Sequence, residues 1–465
     1  MTSQITSDSH EAPGTILLYD KRNGTDQVIL VPQPSSNDSN DPLRWSKRKK
    51  WTVLLIGAFY AFMGSVTGPI MAAGMIPLTK SLNTSLQRIT YANGATLICQ
   101  GVATTLWMPF AIKYGRRPVY LLSNLLMGIA CFWCGLGDTN YGVLVSGRAF
   151  LGIFEAPIES IVPSTITDIF FLHERGEKVS VYGMAVLGGN ELGPMFSAFI
   201  IQNLNMRWAF FIVGIIILAA EIPMFFFMPE TKYGGVRPEV PGVAGRDGKV
   251  VEIELSDVSK NREKMVIPVV KEGEKESIPY EFDSQAQGLI FLSPFIGSII
   301  GTYLCGPLSD AIANFYTKRN RGIREPEMRL PACAIAALFT AVGAIIVAVT
   351  LNNRSHWSGP AIGLGVLSIG AQMGATLAMA YSLDSHKELS AELMVAVASM
   401  KSAIAWIWTW VINDFIAARG PLTVFLTIMA INIAVYATTL LLYVKGKAAR
   451  IWIHEKNLLG FMGLN

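Results

Sequence analysis

The chain has 465 residues, of which 51% are hydrophobic and only 15% charged, with a formal net charge of +4. A water-soluble protein of this length needs far more charge, and a soluble α/β enzyme buries apolar runs of roughly 4–8 residues. Here apolar runs of about 20 residues recur, each long enough to cross the hydrocarbon core of a bilayer, so a soluble fold is excluded and no nucleic-acid partner is expected.

Residues 1–50 are predicted to form a cytoplasmic tail, disordered because it is rich in Ser, Asp, Asn and Pro. It has no apolar h-region, so no cleavable signal peptide is expected. Lys47-Arg48-Lys49-Lys50 abuts Trp51, the pattern of a cytoplasmic membrane interface. Six spans follow in residues 51–230, at roughly 51–76, 89–111, 118–137, 141–168, 178–202 and 207–228. The links after the second and fourth spans carry Lys113, Arg116, Arg117, His173, Arg175 and Lys178, while the link after the third carries no positive charge. By the positive-inside rule the N-terminus and the even-numbered links are cytoplasmic.

Residues 231–281 hold nine Lys/Arg and ten Asp/Glu and read as a polar, cytoplasmic-type loop. A second bundle occupies residues 282–447, with five spans at roughly 285–309, 329–351, 359–382, 391–416 and 421–444, and a cytoplasmic tail covers 448–465. All five cysteines (Cys99, Cys131, Cys134, Cys305, Cys333) fall inside spans, which suggests neither disulfides nor a metal site.

The span count collides with the charge rule. Six spans return the chain to the cytoplasm, so a seventh at 285–309 would put Lys318–Arg324 outside, and eleven would put the C-terminal tail outside. One further span between 231 and 281 would repair both, and none exists there. A spacer also repeats: Tyr114-Gly-Arg-Arg-Pro118 closes the second span of the first bundle, and Gly306-Pro-Leu-Ser-Asp310 closes the first span of the second. The chain therefore reads as two similar bundles, the second without its opening helix. Asn83-Thr-Ser85 and Asn353-Arg-Ser355 fall on external links only if that helix is counted.

Ionisable residues within spans are expensive and mark pathways or buried contacts. Arg148, Gly152, Glu155 and Glu159 read as one helix, and at about 100° per residue offsets of 7 and 11 share a face. That stripe is either a proton and substrate relay or a set of static polar contacts. Glu191 sits mid-span between Gly189 and Gly193, which are spaced for close helix packing, and before Pro194, which should bend the helix. It is a proton-coupling group or a packed polar bridge. Lys401 lies well inside its span, either pairing with a carboxylate across the cavity, meeting an anionic substrate, or snorkelling to the inner interface. Trp406, Trp408 and Trp410 follow it as packing aromatics or as the lining of a site. No nucleotide-phosphate loop, metal-ligand spacing or nucleophile–base set is present, so no enzyme and no cofactor is expected, and energy should come from an ion gradient.

Several short patterns occur in a fixed order: Asp41-Pro-Leu-Arg-Trp45, Tyr114–Pro118, Arg148-x-x-x-Gly152, His173-Glu-Arg-Gly176, Gly189-Asn-Glu-Leu-Gly-Pro194, Arg207-Trp208, Pro229-Glu-Thr231 and Arg324-Glu-Pro-Glu-Met-Arg-Leu330. Together they resemble the major facilitator superfamily, and more narrowly its fungal drug:proton antiporter-like branch. The resemblance covers about residues 42–450. It implies an all-α polytopic membrane fold of two pseudo-symmetric bundles, acting as a monomeric secondary transporter of small organic molecules in the plasma membrane. Proton-coupled efflux by alternating access is the implied mechanism. It also makes Arg116, Arg117 and Asp310 gate elements, and the Gly189–Pro194 motif a conformational element. Two departures stand out. The loop motif has Met108 and Ile112 where the family carries Gly and Asp, so its first copy lacks an acidic partner. The family has twelve helices, and the one absent here aligns with helix seven. The alternatives are a truncated non-transporting form, a wrongly joined gene, or a receptor or scaffold that keeps the fold.

Overall fold

A computed structural model of the chain describes residues 16–17, 19–20, 27–28, 31–35, 38, 40–235, 238, 284–320, 322–385 and 390–455. The first bundle begins with α1 (Lys47–Thr67), a 3-10 turn (Pro69–Gly74) and α2 (Met75–Ser81). It continues through α3 (Leu86–Tyr114), α4 (Arg116–Gly135), α5 (Tyr141–Glu155), α6 (Ile158–Ile169), α7 (Leu172–Asn203) and α8 (Met206–Phe227). The second holds α9 (Ser284–Ile290), α10 (Leu292–Arg319), α11 (Ala332–Asn352), α12 (Ser358–Ser385) and α13 (Ser390–Glu455). Small polar side chains set several starts. Ser46 accepts from the Lys49 N–H, Asn140 from the Gly142 N–H and Asn205 from the Trp208 N–H, each satisfying a donor that the first helical turn leaves free.

Among the described residues ten helical stretches are long and apolar enough to cross a membrane. The last, Glu392–Trp452, has 61 residues, more than one crossing needs. It is broken at Gly420, whose φ of 73° and ψ of 165° a residue with a Cβ rarely adopts. Counted across that break, the described chain shows six spans and then five.

The bundles meet along two seams. On one, α3 packs against the first part of α13: Asn413 donates to Gln87 Oε1 (2.9 Å), and Ser399 Oγ donates to the Gly101 carbonyl (2.9 Å). On the other, α7 packs against α9 and α10, with Gly288 of α9 beside Met195 and Ala198 near one end and Gly306 of α10 beside Ser180 near the other.

These contacts order the helix ends. Glu230, after α8, bonds the start of α4 at Arg116, and Arg116 pairs with Asp168 just before α7. Lys50 lies 4.8 Å from the Phe171 ring at the same end. At the far end of α7, a helix of 32 residues and so about 48 Å long, the Gln285 N–H donates to Gln202 (2.9 Å). The described chain thus leaves the first bundle at one end and enters the second at the other. Most of the 231–281 loop lies outside the described residues, as do residues 1–15 and 456–465. Within the stretch read as a disordered tail, Val31 and Leu43 are buried, Val31 accepts from the Leu172 N–H (2.9 Å), and Ile16–Leu17 pairs with Ile323–Arg324.

Candidate functional site

Arg148 on α5 is fully buried. Its guanidinium donates to the Thr67 carbonyl (2.6 Å), the Gly68 carbonyl (2.7 Å) and the Asn93 side chain. Because α1 ends at Thr67, the cation meets the negative end of the helix dipole. Thr67 Oγ1 donates to Glu155 Oε2 (2.7 Å), so one residue joins Arg148 to Glu155. Gly152 faces α3, where a Cβ would come within 3.0 Å of the Thr96 Cα.

The sequence placed Glu159 on the same helical stripe, and here the structure differs. Helix α5 ends at Glu155 and α6 begins at Ile158. Pro157 between them has no N–H to return to the Ile153 carbonyl, which instead accepts from Trp107 Nε1 (2.8 Å). The break lets the two carboxylates diverge. Glu155 turns to Thr67 inside its own bundle, and Glu159 pairs with Lys401 on α13 of the other bundle.

Glu191 on α7 also reaches across. Its Oε1 accepts from Ser298 Oγ (2.9 Å) and Ser368 Oγ (3.1 Å), on α10 and α12. Its Oε2 has no hydrogen-bond partner among the described residues. Gly189 and Gly193 face α1, where a Cβ on Gly189 would lie 2.8 Å from Ser65 Cβ and one on Gly193 3.0 Å from the Val66 carbonyl oxygen. Helix α7 runs through Pro194 to Asn203.

Arg116 and Arg117 open α4, whereas Asp310, expected at a helix end, lies within α10, which runs on to Arg319, and the three are not brought together. The Arg116 side chain pairs with Asp168 (2.8 Å). The Arg116 and Arg117 N–H groups donate to the two oxygens of Glu230 (2.9 and 3.0 Å). An acidic residue from beyond α8 therefore caps α4, beside the spacer that lacks its own. Lys232 of the same segment donates to the Ile112 carbonyl. Asp310 pairs within its own bundle with Arg329 (3.1 Å) and Arg324 (3.6 Å), and Arg329 also pairs with Asp384 (3.2 Å). Asp310 touches the first bundle at Gly176. Glu327 holds Arg450 (2.7 Å) and Glu325 holds Lys447 (2.7 Å) at the same end.

Sequence reasoning missed Thr67, Asn93, Asp168, Arg329, Asp384 and Glu230 as partners. Glu230 and Arg329 stood inside patterns already singled out. Asn93 carried the signal of an amide in the middle of an apolar span. Thr67 carried none, since hydroxyls are common in such helices.

The comparisons with known proteins agree with this architecture. The family model described as Major Facilitator Superfamily matches residues 53–452. An uncharacterized MFS-type transporter of Schizosaccharomyces pombe is 24% identical, over 95% of this chain and 93% of its own. Protein HOL1 of Saccharomyces cerevisiae is 23% identical over 95% of each. A probable efflux pump of Aspergillus flavus is 22% identical over 76% of this chain and 91% of its own. Among solved structures, the human organic anion transporter MFSD10 aligns with a TM-score of 0.54 at 13% identity, over 84% of this chain and 99% of that one. The proton:xylose symporter XylE gives 0.54 at 11%, over 84% and 95%, a likeness of fold alone. With its helical bundles, its intramembrane ionisable residues and a family match spanning most of its length, the chain belongs to the Major Facilitator Superfamily.

Proposed function

We propose that the chain is built as a proton-coupled exporter of small organic molecules, working by alternating access in the plasma membrane as a monomer with a cytoplasmic N-terminus. The carrying observation is that Glu159 and Glu191 each bond across the boundary between the bundles, to Lys401 and to Ser298 and Ser368. Rocking the bundles apart at that level must break these contacts. Protonating Glu159 removes the negative charge that holds Lys401, so proton binding and bundle opening become linked. Arg148, bonded to the end of α1, passes any shift of that helix to Glu155 through Thr67. Gly189, Gly193 and Pro194 give α7 and α1 a close contact on which to move. Arg116, Arg117 and Asp310 hold the cytoplasmic ends. The efflux pumps among the relatives support the direction of transport.

The test is reconstitution in vesicles with an imposed pH gradient, with ethidium and a panel of small organic molecules as probes. Gradient-dependent flux is expected, and Glu159→Gln should uncouple flux from pH. Flux of no probe, or flux indifferent to the gradient, would count against the reading.

A second reading is favoured by one observation. The continuous described stretch of the first bundle ends at Gly235 beside one face of the bundles and that of the second begins at Ser284 beside the other, joined by a polar stretch unsuited to hydrocarbon. On that reading this form of the chain does not transport.

A further inference from the structure

Where α10 crosses α12, small residues let the two backbones meet. A Cβ on Gly297 would press on the Gly365 carbonyl, and Ser293 Oγ donates to the Ala361 carbonyl (2.6 Å). Large side chains stand to either side of the crossing: Leu289, Ile296 and Ile300 on one side and Ile362 on the other, each between 43% and 60% exposed. A floor of small residues between apolar walls leaves a cavity of about 700 Å³, with Trp357 at its outer end.

This cavity is separate from the space between the bundles. Ser298 of α10 faces Glu191 of α7. At about 100° per residue, Leu289, Ile296 and Ile300 lie roughly 160–200° around the helix from Ser298, and so face the surrounding hydrocarbon. Along α12 the cavity runs from Trp357 to Ile369, about 18 Å. Its inner end is level with Ser298 and Ser368, which bond the mid-span Glu191. One leaflet supplies about 15 Å of hydrocarbon. The groove therefore has the depth of a single leaflet, from mid-membrane to an interface marked by Trp357.

The link 353–357 at that interface carries a cation. The Arg354 and Ser355 N–H groups donate back to the Leu351 and Thr350 carbonyls (3.2 and 3.0 Å), which fixes the turn. The Arg354 side chain is exposed and pairs with no carboxylate among the described residues. A guanidinium is suited to bind a phosphate. Here it stands three residues before Trp357, at the mouth of an apolar slot.

We infer that the groove between α10 and α12 is a phospholipid site, one acyl chain lying in the slot and the phosphate resting on Arg354. A sterol would fill the apolar part but leave Arg354 without an anion. A transported molecule would meet α10 on its opposite side, where Ser298 and Glu191 lie.

The experiment places the full chain in phosphatidylcholine vesicles doped with a phosphatidylcholine that carries a diazirine near the middle of one acyl chain. After irradiation, crosslinks are mapped by peptide mass spectrometry. They are expected to be several-fold denser at Leu289–Ile300 and Ile362–Ile369 than at Phe225–Phe227, an apolar patch on α8 that is more exposed. Arg354→Gln should lower groove labelling several-fold. A diacylglycerol with the same diazirine chain but no phosphate should label the parental chain and this variant alike. Ile296→Trp and Ile362→Trp, on opposite walls, should each fill the groove and remove the enrichment. Labelling no denser than on α8, enrichment that survives both tryptophans, or labelling unchanged by Arg354→Gln would overturn the site. So would displacement of the probe by cholesterol and not by unlabelled phosphatidylcholine. Flux is not read, so the outcome is independent of whether the chain transports.

Discussion

The Lys401 ammonium donates to the Glu159 carboxylate, joining α13 of the second bundle to α6 of the first. The pair exists because Pro157 breaks the helix after Glu155 and re-aims the residues that follow. A charged contact between the two bundles is where ionisation and domain movement can meet.

Reversing the pair should preserve what single changes lose. Glu159→Lys and Lys401→Glu are each expected to lower the thermal midpoint in detergent, and the double exchange to restore most of it. The coupling energy should be at or above the ~1 kcal/mol seen for exposed pairs in water. A double-mutant cycle from thermal unfolding checks this, and strictly additive losses would show that the two groups act independently.

Replacing Arg148 by Lys should be severe although charge is kept. One ammonium cannot reproduce a planar fork that serves the Thr67 and Gly68 carbonyls and Asn93 together. Leaving buried acceptors unsatisfied costs about 1–3 kcal/mol each. Arg148→Lys is expected to show a clearly lowered unfolding temperature and to lose transport, and a variant with the parental midpoint would refute the geometry.

Glu230→Ala removes the acceptor for two N–H groups at the start of α4. Loss of a cap costs about 1 kcal/mol, and Glu230→Gln, which keeps an oxygen but not the charge, should cost less. Chemical or thermal unfolding of both variants should rank them in that order.

Gly189→Leu should disrupt the α1–α7 contact, because even a Cβ would press on the Phe62 carbonyl oxygen and lie 2.8 Å from Ser65 Cβ. Overpacking of this kind costs about 1–3 kcal/mol. Thermal unfolding in detergent checks this, and a variant with the parental midpoint would mean that the close approach is not what limits the site.

Single-cysteine labelling should place Asn320 and Lys447 on one side of the membrane and Asn83 and Asn353 on the other. Asp310, Arg324 and Glu327 tie the first two to the end where Arg116 lies, while Asn83 precedes α3 and Asn353 follows α11 at the opposite ends. Labelling of Asn320 and Asn353 from the same side would contradict the arrangement of α10 and α11.

The amino-acid order alone marked out the apolar spans, because roughly twenty apolar residues in a row have one economical use, although α7 begins at Leu172, six residues before the start read for its span. The sequence also separated the spans at 391–416 and 421–444, between which the structure breaks the helix at Gly420. What it could not determine was which side chain each intramembrane charge would meet. Glu155 and Glu159, four residues apart, look equivalent on a helical wheel, yet one faces Thr67 and the other faces Lys401, 242 residues away. Glu230 could be seen in its pattern but not as the cap of α4, 114 residues before it. Periodicity is a local property of the chain, whereas partners across a seam depend on how whole helices are laid side by side, and that only the tertiary structure decided.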